Sequence, residues 1–308
     1  MNIFIAGSTG VLGRRLVEQF VARGHQVTGL VRSREGERLV EDLGGTPRFA
    51  DLFDSAALVH AAQGADVVIH AATAIPTAAR TTARDWQTND RIRREGTASL
   101  AECAARVGAR QFIFQSIVWV ARPADDGAFD EDSPPNPDPI IQSAVDGEEI
   151  TKQAAARGGF AGSVLRCGWF YSADSVHIRQ FAGGLKRRRM PIIGLGGAIW
   201  RMLHADDAAG AFVAAAESGK AGLWHVVDDE PVTAAEFLSA FAERLSAPLP
   251  RRVPAWLVRL LAGRATVDFL THSTRTSNAR FKRDTGWQPT FPSYRKGLDE
   301  VVALLKSV

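Results

Sequence analysis

Residues 5–13 read Ile5-Ala6-Gly7-Ser8-Thr9-Gly10-Val11-Leu12-Gly13. The run before them, Asn2 to Ala6, is apolar, as a buried parallel strand should be. The stretch after them places Leu12, Leu16 and Phe20 on one face of a helix, with Val17 and Val21 beside them, and Gly24 stops it. Three glycines between a strand and a helix permit a tight turn, close backbone approach to a pyrophosphate, and close packing of helix on sheet. The phosphates then sit on the helix N-terminus, where unpaired N–H groups and the helix dipole favour negative charge. Gly7, Ser8, Thr9, Gly10, Val11, Leu12 and Gly13 are therefore the expected phosphate-binding turn of a dinucleotide site. The first gap is one residue longer than in the usual fingerprint, giving Gly-x-x-Gly-x-x-Gly.

Working outward, strands and helices alternate. Further strands are expected at His25 to Val31, Pro47 to Ala50, Ala65 to Ala71, Gln111 to Gln115 and Gly162 to Arg166, with a helix from Thr97 to Val107. Such alternation implies an α/β fold with a doubly wound parallel sheet of Rossmann type. After residue 170 the period is lost. Trp224 to Val227 reads as a strand, and residues 234–245, 254–262 and 294–306 read as helices. The expected division is a dinucleotide-binding domain over 1–168, to which the chain returns around 192–227. A smaller, mainly helical substrate-binding region and lid follows over 169–308. Residues 121–139 carry five prolines and six acids and read as a loop, with a flap over a site as the sharper alternative. The basic run 185–190 reads as a solvated helix end.

Composition narrows the function. The chain has 308 residues, 45% hydrophobic and 23% charged, an ordinary globular make-up that excludes disordered and collagen-like classes. The excess of 37 basic over 34 acidic residues is too small to argue for nucleic acid. Two cysteines, Cys103 and Cys167, make neither a disulfide framework nor a cysteine-rich zinc site, and point to a reducing compartment. No apolar run approaches a membrane span, and Met1-Asn2 opens directly into Ile3, leaving no room for a signal peptide. A cytoplasmic protein acting on a small molecule is expected, with no nucleic acid, membrane or metal partner.

With its turn at 7–13, the chain resembles the short-chain dehydrogenase/reductase superfamily in its extended or atypical branch, over nearly its whole length. Phe49-Ala50-Asp51-Leu52 looks like the acidic step that borders adenine in that family, and Ala71, Ala72 and Thr73 like its strand-four turn. The stretches 94–116, 163–171, 204–211 and 277–287 also resemble extended members. The resemblance implies a nicotinamide cofactor. NAD binders place an acid at the end of strand two to hold the ribose 2′-hydroxyl. Here Arg32 stands in its place, followed by Ser33, and a guanidinium can pair with a 2′-phosphate. NADP(H) is therefore preferred, with NAD(H) possible.

The residues that do acid–base work in that family are missing. A Tyr-x-x-x-Lys pair points two side chains into one site, where the lysine lowers the tyrosine pKa and the tyrosine moves the proton. Four residues beyond Tyr171 is Ser175, and four beyond Tyr294 is Leu298. Matching the family's helix onto 142–152 through Glu149 puts Gln142 at the tyrosine position and Asp146 at the lysine position. Ile117 falls where the hydroxyl residue is normal, with Ser116 one position early, and Arg93 replaces an asparagine. Ser116, Gln142 and Asp146 remain as candidates to orient or protonate a carbonyl, Asp146 only if its pKa is raised. Ser116 also borders the expected cofactor site. The histidines are scattered and read as structural, His204 as fixing a helix start. Trp119, Trp169, Phe170, Tyr171 and Trp200 come from segments that border the substrate side in this family and form the expected apolar pocket.

Together these readings imply an NADPH-dependent ketoreductase for a bulky aromatic, polyketide-like substrate, in which a neighbouring phenol assists. The chain resembles antibiotic-tailoring ketoreductases of the angucyclinone, simocyclinone type. A nucleotide-sugar epimerase or dehydratase and a non-catalytic NADP(H) sensor are the alternatives.

Overall fold

The computed structural model describes residues 1–78 and 81–307, so Val308, the end of the expected substrate region, lies outside it. The chain enters strand β1 (Asn2–Ala6), helix α1 (Val11–Ala22), β2 (Gln26–Val31), α2 (Arg34–Asp42), β3 (Thr46–Phe49), α3 (Ser55–Ala61) and β4 (Val67–His70). Helix α4 (Ala83–Arg91) runs through a single π-helical turn, Ile92–Gly96, into α5 (Thr97–Arg106). Then come β5 (Gln111–Ile117), α6 (Gln142–Gly158), β6 (Ala161–Cys167), β7 (Trp169–Tyr171), α7 (Val176–Lys186), β8 (Ile192–Ile193), β9 (Ile199–Trp200) and β10 (Met202–His204). The remaining elements are α8 (Ala205–Ser218), β11 (Gly222–Val226), β12 (Val232–Thr233), α9 (Ala234–Arg244), β13 (Arg252–Val253), α10 (Ala255–Ala262), α11 (Arg264–Thr271), α12 (Ala279–Thr285) and α13 (Tyr294–Ser307).

Seven of these strands form one parallel sheet in the order β11-β6-β5-β4-β1-β2-β3. The chain builds outward from β1 through β2 to β3, crosses back to β4, and builds the other way. The strand order reverses between β1 and β4, which opens a crevice at their carboxyl ends, the usual ligand site of such sheets. Both faces of the sheet are covered. Ile3 and Ile5 of β1 join Leu16 and Phe20 of α1 and Phe212 of α8 in one core, while Phe4 and Ala6 join Leu58, Leu100 and Phe112 in the other. Double-sided burial explains why the strands read as continuous apolar runs rather than alternating ones. Each such side chain contributes about 1.5–3 kcal/mol on burial.

Within residues 192–227 only β11 joins the sheet, pairing in parallel with β6 from Gly222 opposite Ser163 to Val226 opposite Cys167, while β8, β9 and β10 lie outside it. A third core lies beyond the sheet, where Tyr171, Ile178, Trp200, Phe237, Phe241, Tyr294 and Leu298 pack together. Three two-stranded ribbons, β10-β7, β12-β9 and β13-β8, tie this helical region together. The basic run follows directly on α7, whose last residue is Lys186.

The acidic stretch 121–139 carries little regular structure, yet it is pinned rather than free. Glu131 accepts from the backbone N–H of His225 at 3.0 Å, and Asp132 pairs with Arg280. Asp126 accepts from the N–H of Ser273 at 2.6 Å, and Phe129 is buried against the His225 ring. Both cysteines are buried and free. No helix among the described residues is long and apolar enough to cross a membrane.

Candidate active site

The turn after β1 has the features that a pyrophosphate needs. Gly7 sits at φ +90°, where an L side chain is strained, and a Cβ there would meet Ala72 N at 2.5 Å. A Cβ on Gly13 would run into the Gly7 carbonyl. Gly10 starts α1 with no side-chain cap, and no acid occupies the first turn. The helix N-terminus is thus left electropositive beside Ala71 and Ala72, on the far side of the crevice. The Ser8 side chain is committed elsewhere, donating to the Leu30 carbonyl at 2.8 Å and fastening the turn to β2. Thr9 is exposed beside it.

At the end of β2, Arg32 is exposed and makes no hydrogen bond or ion pair among the described residues. Ser33 caps α2, its hydroxyl accepting from Gly36 N at 3.2 Å. Asp51 is exposed and takes the N–H of Phe53 at 3.0 Å, while Leu52 is half-buried. Thr73 is exposed. These residues fit a dinucleotide laid across the crevice, with its phosphates at 7–13 and its adenosine end toward Arg32.

Of the three catalytic candidates, Gln142 and Asp146 meet each other and Ser116 stands apart from both. Ser116 is fully buried, and its hydroxyl donates to Glu148 Oε1 at 2.5 Å. Glu148 is in turn held by Arg166, Nε to Oε1 at 2.9 Å and Nη2 to Oε2 at 2.7 Å. The single hydroxyl proton of Ser116 is thereby given to a carboxylate, which leaves none for a substrate carbonyl. Gln142 is exposed, and its amide donates to Asp146 Oδ1 at 3.0 Å; Arg94 donates to the other carboxylate oxygen at 2.6 Å. Partial burial pushes the Asp146 carboxyl up, but the Gln142 and Arg94 hydrogen bonds outweigh it and hold the pKa below the usual range. Asp146 is a carboxylate at neutral pH, so the expectation of an acid with a raised pKa is corrected.

What α6 turns inward is mixed: Ser143, Glu148 and Thr151 are buried alongside Ala144 and Gly147, and an apolar cluster sits at its head. Ile117, Val120, Ile141 and Ala144 form a buried cluster, with Trp119, Ile140 and Val145 packed on it. Ala144 and Val145 face this cluster with Ile141 just ahead of the helix, while Gln142 and Asp146 lie on another face. The positions matched to the dyad, Gln142 and Asp146, stand beside this cluster and carry neither a tyrosine nor a lysine. That face was hidden from sequence reading because a register anchored on one glutamate is uncertain by a residue, and one residue turns a helix by about 100°.

The aromatic candidates divide. Trp119 and Trp169 lie edge to face at 6.1 Å between centroids, and Trp169 lies 5.3 Å from Trp200. Phe269 of α11 packs 5.3 Å from Trp119 and 6.0 Å from Trp169, and Phe181 of α7 lies 5.9 Å from Trp169. Those two phenylalanines were not anticipated, since nothing local links 181 and 269 to 119. Phe170 turns the other way, onto the core shared with α1 and α8. Tyr171 is fully buried in the helical region, its hydroxyl donating to Asp228 at 3.0 Å. Burial and the neighbouring carboxylate push its pKa well above the ordinary value, which makes it a poor proton donor with no access to ligand. His204 caps α8, its Nδ1 accepting from Asp206 N at 3.3 Å.

Relatives fit this geometry. A "3-diazoavenalumate denitrifying reductase" from Streptomyces sp is 37% identical over 97% of this chain and 99% of its own length. A "4-hydroxy-2-methyl-3-oxo-4-farnesyl-3,4-dihydroquinoline-1-oxide ketoreductase" from Stigmatella aurantiaca is 27% identical over 79% of this chain and 73% of its own. Among solved structures, the human epimerase family protein SDR39U1 (isoform2) with NADPH superimposes with a TM-score of 0.81 at 20% identity, covering 98% of this chain and 99% of that one. Residues 3–226 match the NAD dependent epimerase/dehydratase family. The chain therefore belongs to that family, within the extended short-chain dehydrogenase/reductases, and is an NAD(P)(H)-dependent oxidoreductase.

Proposed function

We propose that this protein is an NADPH-dependent reductase whose bulky aromatic substrate accepts hydride without a proton from the protein. The observation that carries the reading is the apolar cluster of Ile117, Ile141 and Ala144 at the head of α6, a helix whose buried acid, Glu148, is already committed to Ser116 and Arg166. NADPH, when bound, supplies the hydride. Arg32, exposed and unpaired, supports NADPH over NADH by offering its guanidinium to the 2′-phosphate. The glycine turn and the α1 N-terminus hold the pyrophosphate. Trp119, Trp169, Trp200 and Phe269 supply the flat apolar walls and exclude water. Placement of this kind can account for about 7–11 kcal/mol of barrier reduction without any acid.

Two substrate classes satisfy an acid-free site. One is a ring ketone beside a phenol, whose own hydroxyl shares its proton with the oxygen as negative charge develops there. The other is a diazonium, favoured by the name of the 37% identical relative. A diazonium carbon that gains hydride loses dinitrogen, so atoms and charge balance with no proton taken up. An epimerase would need a residue to carry protons between substrate faces, and the apolar cluster offers none.

The test offers the purified protein both substrates with 4-deuterated NADPH. Deuterium on a carbinol carbon supports the ketone, and deuterium on the ring with dinitrogen release supports the diazonium. Methylating the phenol should abolish the first reaction. Tight NADPH binding with no oxidation in either arm would overturn the reductase reading in favour of a sensor.

A further inference from the structure

The π-helical turn between α4 and α5 carries Arg93, which is 2% exposed. Its Nε and Nη1 have no hydrogen-bond partner. Two more unpartnered buried groups lie on the same helices, Asn89 Nδ2 on α4 and Ser143 Oγ on α6. Their placement follows from how the helices pack. A Cβ on Gly147 would lie 3.1 Å from the Arg93 carbonyl, and a Cβ on Gly158 would lie 3.1 Å from Ala105 Cβ. Residue 93 is thus level with 147 and residue 105 with 158, so the two helices run parallel. One turn earlier on each, Asn89 is level with Ser143. Three polar side chains with free atoms therefore gather at one end of one helix pair.

That end faces the crevice. The Asn89 carbonyl accepts from Ala74 N at 3.0 Å, which anchors the loop after β4 and leaves the amide nitrogen unused. The sheet order runs from β2, where Arg32 waits, through β1 and its phosphate turn, to β4 and β5. Asn89 and Arg93 lie on the β4–β5 side of the phosphate turn.

Charge accounting asks for an anion. Glu148 is the buried acid nearby, but Arg166 already holds it in two hydrogen bonds. Asp90 is half-buried, and no ion pair joins it to Arg93 among the described residues. Burial lowers the Arg93 pKa to about 10, against the pull of Asp90 and Glu148, so the group stays charged at neutral pH. A buried charge without a partner is costly and persists where something compensates it. π-bulges of this kind occur frequently at functional sites.

We propose that Arg93, with the Asn89 amide and the Ser143 hydroxyl, forms a recess that binds a carboxylate on the organic substrate. The inference rests on the reading of the crevice as a ligand site and names a feature of the substrate. Arg93 fixes the position of the substrate and takes no part in proton transfer.

The probe is benzoate, with benzamide as its neutral counterpart, titrated by ligand-detected NMR into the protein with and without NADP⁺. Benzoate should bind and benzamide should bind at least about tenfold more weakly, the scale of one charge-assisted hydrogen bond. Arg93→Met should remove that preference while leaving the melting temperature equal or higher, because an uncompensated buried cation is gone. Should Arg93→Met fail to fold, the residue is structural and the proposal falls, unless Arg93→Lys folds with the benzoate preference weakened but retained. Equal binding of benzoate and benzamide by the wild type would overturn the recess. So would displacement of benzoate by NADP⁺, which would assign Arg93 to a cofactor phosphate. NADPH oxidation in the deuterium-transfer assay tests the reductase reading separately, so the two can fail independently.

Discussion

Arg32 and Ser116 show opposite fates for a polar side chain near a ligand cleft. Arg32 stands exposed with nothing to hold. Arg32→Asp should weaken NADPH by more than about tenfold, since a charge-assisted pair is worth roughly 1.5–3 kcal/mol, and should leave NADH binding nearly unchanged. Fluorescence titration of both cofactors reads this directly, and equal NADPH affinity in the variant would refute the assignment. Ser116 is already spent on Glu148. Ser116→Ala should cost about 1 kcal/mol of stability and change turnover by less than about tenfold. A loss of about 10⁴ in turnover with folding intact would instead mark Ser116 as a proton donor. Glu148→Gln should be far worse for stability, about 3–5 kcal/mol by denaturant melts, because it strands the buried Arg166 charge.

At the level of elements, α6 is the informative one. Its inner face is apolar where it meets Ile117, and where it meets β5 it presents Glu148 to Ser116 and glycine to Phe114, since a Cβ on Gly147 would come within 2.5 Å of the Phe114 ring. Gly147→Ala should therefore cost about 1–3 kcal/mol, the usual penalty of overpacking, despite the better helix propensity of alanine. A urea midpoint unchanged from wild type would show that α6 can withdraw from the sheet freely. The outer face carries Gln142, Asp146 and the bond to Arg94. Gln142→Ala and Asp146→Asn should each leave turnover within about tenfold, the effect of one exposed hydrogen bond.

The molecule as a whole should lose stability in acid. Burial pushes His70 and His204 down to about 4 and His225 to about 3, so the fold keeps all three neutral. An unfolded histidine titrates near 6.5. Below that pH the unfolded chain takes up protons that the fold refuses, and stability falls progressively toward about pH 4. Asp228 acts in the opposite sense, its carboxyl pushed up to about 8 by burial, so its contribution is present at low pH and lost as pH rises toward 8. Three groups outweigh one on the acid side, and the optimum should lie near neutrality. Denaturant midpoints at about pH 7 and about pH 5 should differ, and His225→Gln should shrink the difference by about one proton's worth. Identical midpoints at the two values would mean that these imidazoles are not held neutral.

Local signals carried the core of the α/β fold. The apolar runs of β1, β4, β5 and β6 and the glycine turn are written in contiguous residues, because a doubly buried strand and a phosphate-binding turn impose their requirements within a few positions. The same holds for the family and the dinucleotide crevice, and for the absence of Tyr-x-x-x-Lys, which is a matter of residue identity. The inward face of α6 depended on tertiary packing, since which of Ile141, Gln142 and Ser143 turns inward is a rotation that only packing sets. The commitment of Ser116 to Glu148 and Arg166 joins residues 32 and 18 positions apart across three elements. The aromatic walls needed Phe181 and Phe269, brought to Trp169 by α7 and α11. Partnership among distant side chains is decided by where the elements dock, and docking is set by the summed burial of whole faces rather than by any one stretch of chain.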